Sequence, residues 1–277
     1  MAEYLSPGVF VEEVSSGNKP IEGVGTSTGA FVGRAVKGPV NKATLITNLS
    51  QFVDIFGGFH QDYNLAYAVR HFFTEGGTRC YVVRVFAPNT VDSVDAPADV
   101  GRTVLNAGGT PALNVLAVNE GFWGNDIEVE VIPPAFDPHD PTNMDQKFGL
   151  KVYYQGRVVE TFTQLSMKEF TPTRLPNPFH VETQINGVSK FIQVDDRSED
   201  PTMVAPPDQP PEALPADDPR RRVALEQGSD GQPLEAASDF IGTPELATGL
   251  FAFDTIDDIN IVAIPDLVHS NIDVAVD

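Results

Sequence analysis

Cysteine occurs once in this 277-residue chain, at Cys80. A single thiol cannot form an intrachain disulfide or complete a zinc set, and its place inside an apolar run marks it as buried and inert. Basic residues are scarce too: 18 Lys and Arg stand against 39 Asp and Glu, a net charge of -21. Binding a nucleic acid backbone needs a Lys/Arg footprint, so a nucleic acid partner is not expected. No run approaches the roughly 20 apolar residues that span a bilayer, and the N-terminus has neither a basic n-region nor an apolar h-region. The chain is expected in the cytoplasm when made, without membrane insertion.

What is present is ordinary globular usage, 41% hydrophobic and 21% charged, at a length that suggests about two domains. The acidic balance keeps free subunits apart. If such chains pack side by side, burial and strand pairing must offset their repulsion, and added salt should help by screening.

The chain begins with an arm. Tyr4-Leu5-Ser6-Pro7-Gly8 is a turn signal, followed by Val9-Phe10-Val11-Glu12-Glu13-Val14, a β-prone run too short to bury itself. Ser15 to Gly29 has the composition of a flexible connector. Pro7 to Val14 therefore reads either as a disordered terminus or as a segment that adds a strand to a sheet, in the same chain or in a neighbour.

Ala30-Phe31-Val32-Gly33 and Thr44-Leu45-Ile46 read as buried strands. Leu49, Phe52, Val53 and Phe56 then fall at helical spacing, with Thr47 or Asn48 as cap and Gly57-Gly58 as stop. Leu65, Ala68, Val69, Phe72 and Phe73 form the apolar stripe of a second helix from about Asp62 to Glu75, and Cys80 to Phe86 reads as a doubly buried strand. Asp92 to Gly109 is acidic and turn-rich. Ala112–Val118, Ile127–Ile132, Leu150–Tyr154, Val158–Phe162 and Phe191–Val194 are β-prone, with Gln155-Gly156-Arg157 turning one hairpin. Asp195 to Pro219, with seven prolines, reads as a long loop, and Arg220-Arg221-Arg222 as a solvated charge run or a clamp on a neighbour's carboxylates. Leu246 to Asp254 reads as a short helix, and Ile259 to Pro265 as a strand buried on both faces that rejoins the first layer.

The expected fold is α/β (α+β), an α/β core layer with an inserted sandwich- or barrel-like β domain and an extended N-terminal arm. The expected divisions are 1–28 for arm and linker, 29–90 plus 240–277 for the core, 91–195 for the insertion, and 196–239 for a Pro-rich acidic connection.

Motifs of chemistry are lacking. Gly23-x-Gly25-x-x-x-Gly29 misses the dinucleotide spacing, and Gly33-x-x-x-x-Gly38 is followed by Pro39-Val40 where a phosphate loop needs Lys and Ser/Thr. His60, His71, His139, His180 and His269 show no metal-ligand spacing, and no cofactor is expected. Asp195-Asp196, Asp217-Asp218 and Asp257-Asp258 lack the ligand pattern of a calcium loop; the last is expected to cap backbone N–H groups. No catalytic residues are assigned, although triads that assemble only in space escape such a search.

Several stretches together resemble the sheath proteins of contractile phage tails and contractile injection systems. Tyr4 to Glu13 resembles that family's arm, and Gly29 to Gly33 with Gly38-Pro39-Val40 its first core strand. Leu45 to Gly58 and Ala68 to Val85 are similar to its helix-helix-strand block. Gly121-Phe122-Trp123-Gly124-Asn125-Asp126-Ile127 resembles a loop of its inserted domain, and Gly228-Ser229-Asp230-Gly231, Asp239 to Gly242 and Asp257 to Asp266 follow in order.

The resemblance implies a structural, non-enzymatic subunit that polymerises as stacked hexameric rings around an inner tube and contracts to drive the tube through a target envelope. It implies self-association, an inner tube protein, and baseplate and terminal cap proteins as partners, within a phage tail or tail-like particle. It also implies that Pro7, Gly8, Val9, Phe10, Val11, Glu12, Glu13 and Val14 form the inter-subunit arm. Family members continue past the Ile264-Pro265-Asp266 strand, so this chain is expected to be a fragment or a shortened variant. The competing readings are an α/β enzyme of hydrolase or nucleotide-binding type and a β-domain adhesin for cell-surface ligands.

Overall fold

A computed structural model describes residues 28–86, 100–133, 147–170, 175–197, 206–209, 214–215, 217–231, 234 and 236–268. The first sheet has the order β11-β1-β3-β2, with β1 Thr28–Gly33, β2 Thr44–Ile46, β3 Arg79–Arg84 and β11 Ile261–Ala263. β1 pairs in parallel with β3 and β11, and β2 pairs antiparallel with β3.

Parallel neighbours need a crossover, and two helices supply it: α1 Leu49–Phe56 and α2 Leu65–Thr74. Asn48 Oδ1 accepts the Gln51 N–H at 2.8 Å and Gln51 Oε1 accepts the Thr47 N–H at 2.9 Å, so the first turn of α1 is closed reciprocally. Most of each apolar stripe turns inward. Phe52, Phe56, Leu65 and Val69 pack on Phe31, Ile46, Cys80 and Val82, covering one face of the sheet. Val53 departs from the expected stripe and faces outward. The other face, Ala30, Val32, Val83 and Val85, is covered by Phe240 of α4 (Ala237–Ile241) and Phe253 of a 3-10 turn (Gly249–Phe253).

The remaining strands form two antiparallel sheets. One has the order β4-β5-β9 (Arg102–Ala107, Thr110–Ala117, Ile192–Asp196). The other is β10-β6-β7-β8 (Val223–Ala224, Ile127–Ile132, Lys147–Tyr154, Arg157–Ser166). Leu113, Val115 and Ile192 of the first meet Val129, Leu150 and Val152 of the second in one core, joined by Val181 and Ile185 of α3 (Val181–Ile185). Gln155 and Gly156, with φ of 50° and 74°, make the two-residue turn between β7 and β8, and both values suit a turn with left-handed central residues. Arg102 and Glu226 exchange two backbone hydrogen bonds of 2.8 and 2.9 Å, stitching the edge of one sheet to the end of the other.

Four further expectations change. β4 lies inside the stretch read as turn-rich, because β5 and Glu226 supply its partners from a distance. β11 is not doubly buried: Ile261 and Val262 are 46% and 52% exposed, since it is the outermost strand of its sheet among the described residues. The arginine run is not a solvated face. Arg221 pairs with Glu130 at 2.7 Å and Arg222 with Glu128 at 3.1 Å, both within this chain, while Arg220 stays in solvent beside Asp218. Of the segment read as a helix from Leu246, only the 3-10 turn is helical.

Candidate functional site

The residues expected to form the inter-subunit arm, Pro7, Gly8, Val9, Phe10, Val11, Glu12, Glu13 and Val14, lie outside the described residues. What the structure brings together instead is a polar seam between the α/β layer and the β sandwich. Arg84, the last residue of β3, is 2% exposed. Its Nε donates to Ala35 O at 3.0 Å, and Nη1 donates to Gly38 O at 3.0 Å and to Glu120 O at 2.9 Å. The Asp230 carboxylate stands 3.6 Å from Nη2. Burial pulls the guanidinium pKa down while Asp230 opposes it. A planar fork of donors suits this place, because it satisfies three carbonyls from both layers at once.

Asp230 does more than balance charge. It accepts the Phe122 N–H at 3.2 Å and the Tyr63 hydroxyl at 3.4 Å, and the tyrosine pKa is raised by burial and then by this carboxylate. Asn125 and Gly228 exchange hydrogen bonds of 2.9 and 2.8 Å beside it. Gly121 adopts φ of 131°, and a Cβ there would stand 2.8 Å from Asp230 Oδ1 and 3.0 Å from Arg84 Nη2, so only glycine fits.

A second cation crosses the seam. The Lys37 ammonium lies 4.8 Å from the Phe191 ring centroid, 5.7 Å from Tyr154 and 6.0 Å from Trp123. Burial lowers its pKa, opposed first by Asp54. Lys37 forms part of the wall of a groove of about 830 Å³ between α1 and the β7–β8 turn, to which Val53, Phe59, Val159 and Lys190 also contribute.

At the C-terminal end of β1, where Gly33 pairs with Arg84, Asp266 is fully buried and accepts the Arg34 and Asn64 N–H groups, each at 2.6 Å. The Asp doublets have other work. Asp258 pairs with Arg79 at 2.6 Å instead of capping backbone, Asp218 caps the 3-10 turn Pro219–Arg221, Asp195 accepts from Asn114, and Asp196 pairs with His180 at 3.2 Å. Among the described residues no group of three or more His, Cys, Asp or Glu is placed to hold a metal. Cys80 is buried, and burial pushes its thiol up to about 12, which removes it as a nucleophile near neutral pH.

Arg84, Asp230, Lys37 and Asp266 carry this architecture, yet the sequence reading assigned none of them a role. The available signal was Arg84 ending a strand otherwise buried, which demands partners. The separate stretches Gly38-Pro39-Val40, Tyr81 to Val85, Gly121 to Ile127 and Gly228 to Gly231 all meet at or beside the Arg84 guanidinium.

No protein-family model and no curated protein matches the chain. Among solved structures, a sheath tail protein from Listeria innocua superposes with a TM-score of 0.53 at 16% identity, covering 90% of this chain and 42% of its own. The chain has the fold of a sheath tail protein. A second sheath tail protein, from Desulfitobacterium hafniense, aligns with a TM-score of 0.48 at 16% identity, covering 92% of this chain and 45% of its own. The sheath-like fold thus spans less than half the length of the Listeria innocua protein. Its mixed sheets and short helices are those described above, and no helix among the described residues is long and apolar enough to cross a membrane.

Proposed function

We propose that the chain is a structural subunit of a contractile sheath, which polymerises as stacked hexameric rings around an inner tube and contracts to drive the tube through a target envelope. The observation that carries this reading is the sheath-like fold over nine-tenths of the chain. Its partners are further copies of itself, an inner tube protein, and baseplate and cap proteins, in a phage tail or tail-like particle. The work is packing and not catalysis. The chain divides into the arm and linker (1–28), the core (29–90 with 240–277), the inserted β domain (91–195) and the connection (196–239).

The arm residues Pro7 to Val14 add a strand to a neighbour. Such a strand gains roughly four to six hydrogen bonds at about 0.5–1.5 kcal/mol each, against an ordering cost of about 1–2 kcal/mol per residue. One joint is marginal and many in a lattice are strong, so the connection persists while subunits slide. The seam at Arg84 supports the same role, because a subunit that transmits force needs its two parts held in a fixed relation.

The test is electron microscopy of the purified chain, alone and with inner tube and baseplate, beside a version extended by any coding sequence that follows Asp277. Striated tubes from either version support the reading. Absence of ordered assembly under every condition would overturn it.

A further inference from the structure

β9 is the outermost strand of the β4-β5-β9 sheet among the described residues, yet its outer edge is not bare. Ile192 N–H donates to Ser189 Oγ at 2.9 Å, Val194 N–H to Asn186 Oδ1 at 2.8 Å, and Asp196 N–H to Glu182 Oε1 at 2.8 Å. Glu182, Asn186 and Ser189 fall at i, i+4 and i+7, so one side of α3 and of the turn after it stands in for a further strand.

Asn186 is the centre of this clamp. It grips Val194 both ways, because its Nδ2 also donates to Val194 O at 2.9 Å, and its carboxamide thus copies a peptide group of a neighbouring strand. The next residue is Gly187, and the two form the chain's one Asn-Gly pair. Gly187 is exposed, takes φ of 79°, and a Cβ there would meet nothing within 4 Å. The Asn186 N–H donates to Glu182 O, and the Val188 and Ser189 N–H groups donate to Ile185 O. The Gly187 N–H meets no acceptor among the described residues. An unhindered, unbonded backbone nitrogen therefore adjoins a side-chain amide whose carbon it reaches by closing a five-membered ring.

We propose that Asn186 is a self-modification site, deamidated by attack of the Gly187 nitrogen on the Asn186 Cγ. The N–Cγ bond forms, the Cγ–Nδ2 bond breaks, and the amide group takes the Gly187 proton and leaves as ammonia. Water then opens the succinimide at either carbonyl, giving aspartate or isoaspartate, and no other reactant is consumed. The clamp sets the rate, because the carboxamide must leave Val194 before Cγ can turn to the nitrogen. The product undoes the clamp in turn. An oxygen replaces the Nδ2 that faced Val194 O, so two acceptors oppose each other, and isoaspartate also adds a methylene to the backbone of the turn. The site is a one-way latch: closed, it shields itself, and once hydrolysed it holds the β9 edge less firmly.

Peptide mapping by mass spectrometry tests the assignment on the full chain, incubated in mildly alkaline buffer both natively and in urea. In urea the conversion of amide to acid should concentrate at Asn186, with isoaspartate among the products. Natively it should occur at the same residue about tenfold or more slowly. Glu182→Ala removes a flanking hydrogen bond and neither reacting group, and should speed the native reaction several-fold. Asn186→Asp supplies the product directly: amide exchange at Val194 should quicken about tenfold or more, while that at Val82 in the first sheet stays as in the parent. Conversion spread evenly over the other asparagines in urea, or a native reaction as fast as the one in urea, overturns the proposal. So does a Val194 amide that exchanges in Asn186→Asp as slowly as in the parent.

Discussion

Asp266 Oδ1 accepts the Asn64 backbone N–H at 2.6 Å, so the residue that opens helix α2 is anchored by a carboxylate that follows β11. Asn64 makes no side-chain cap, and the other Asp266 oxygen takes the Arg34 N–H, tying the end of β1 to the same group. A Cβ at Gly33 would come within 2.7 Å of that oxygen, so the glycine keeps the approach open. Asp266→Ala should leave two half-buried N–H groups without their carboxylate and cost about 1–3 kcal/mol. At about 2–4 °C per kcal/mol for a chain of this size class, thermal unfolding should show a clear drop in Tm. A Tm within one degree of the parent would rule out this role.

Arg84 joins the layers through carbonyls, so its replacement should uncouple them. Arg84→Met removes the charge but strands three buried carbonyls and Asp230, at about 3–5 kcal/mol. Trp123 sits in the sandwich near the seam and its Nε1 donates to Glu120 O, the residue Arg84 also binds. In the parent, denaturation followed by tryptophan emission and by far-ultraviolet circular dichroism should coincide. In the variant the two curves should separate, and continued coincidence at an unchanged midpoint would refute the coupling.

The amphipathic helices α1 and α2 were legible because their core partners all lie on one stripe, and β6, β7 and β8 because alternation and a Gln-Gly turn mark them locally. β4 and β10 were not. Arg102 to Ala107 holds as a strand through Leu113 and Glu226, and Val223–Ala224 through Glu128 and Val129, partners that no local pattern announces. β11 was found but placed wrongly in burial, since an apolar run does not reveal whether its sheet continues beyond it. The seam was hidden for the same reason: Arg84 and Asp230 are remote in sequence and meet only once both layers have folded.

The arginine strap makes stability depend on acid. Burial pushes the Glu130 pKa up, but hydrogen bonds from Arg221 and Tyr153 outweigh it and hold the carboxyl below its ordinary 4.5. A depressed folded-state pKa contributes stability that is complete above the unfolded value and is lost as pH falls through the folded one. Asp218, held to about 2 mainly by Arg220, stays ionised across most of that window. Glu130→Gln should therefore weaken the fold at neutral pH and flatten the loss of stability from about pH 5 to pH 3. Urea midpoints across this range test it, and equal slopes for parent and variant would remove Glu130 as a source.

Cys80 should be silent in the folded chain. Its thiol is fully buried in the sheet-helix core and pushed up to about 12, so thiolate is negligible at pH 8. Iodoacetamide should leave the native protein unlabelled for hours and modify it fully in denaturant. Rapid native labelling would mean that β3 opens readily and that the core is less closed than its packing indicates.

The arm and the charge can be tested together. Deleting Ala2 to Val14 should leave the described core folded, since its strands pair with one another and its helices pack on them without a break. The deleted chain should unfold at the parent's Tm but stay monomeric in sedimentation at every salt concentration. The parent's association should instead rise with salt, because screening over about 8 Å at physiological ionic strength weakens repulsion between copies of charge -21. Ordered tubes from the deletion would assign assembly to surfaces other than the arm. Association of the parent that falls with salt would mean that attraction between opposite charges on neighbouring copies outweighs the net repulsion.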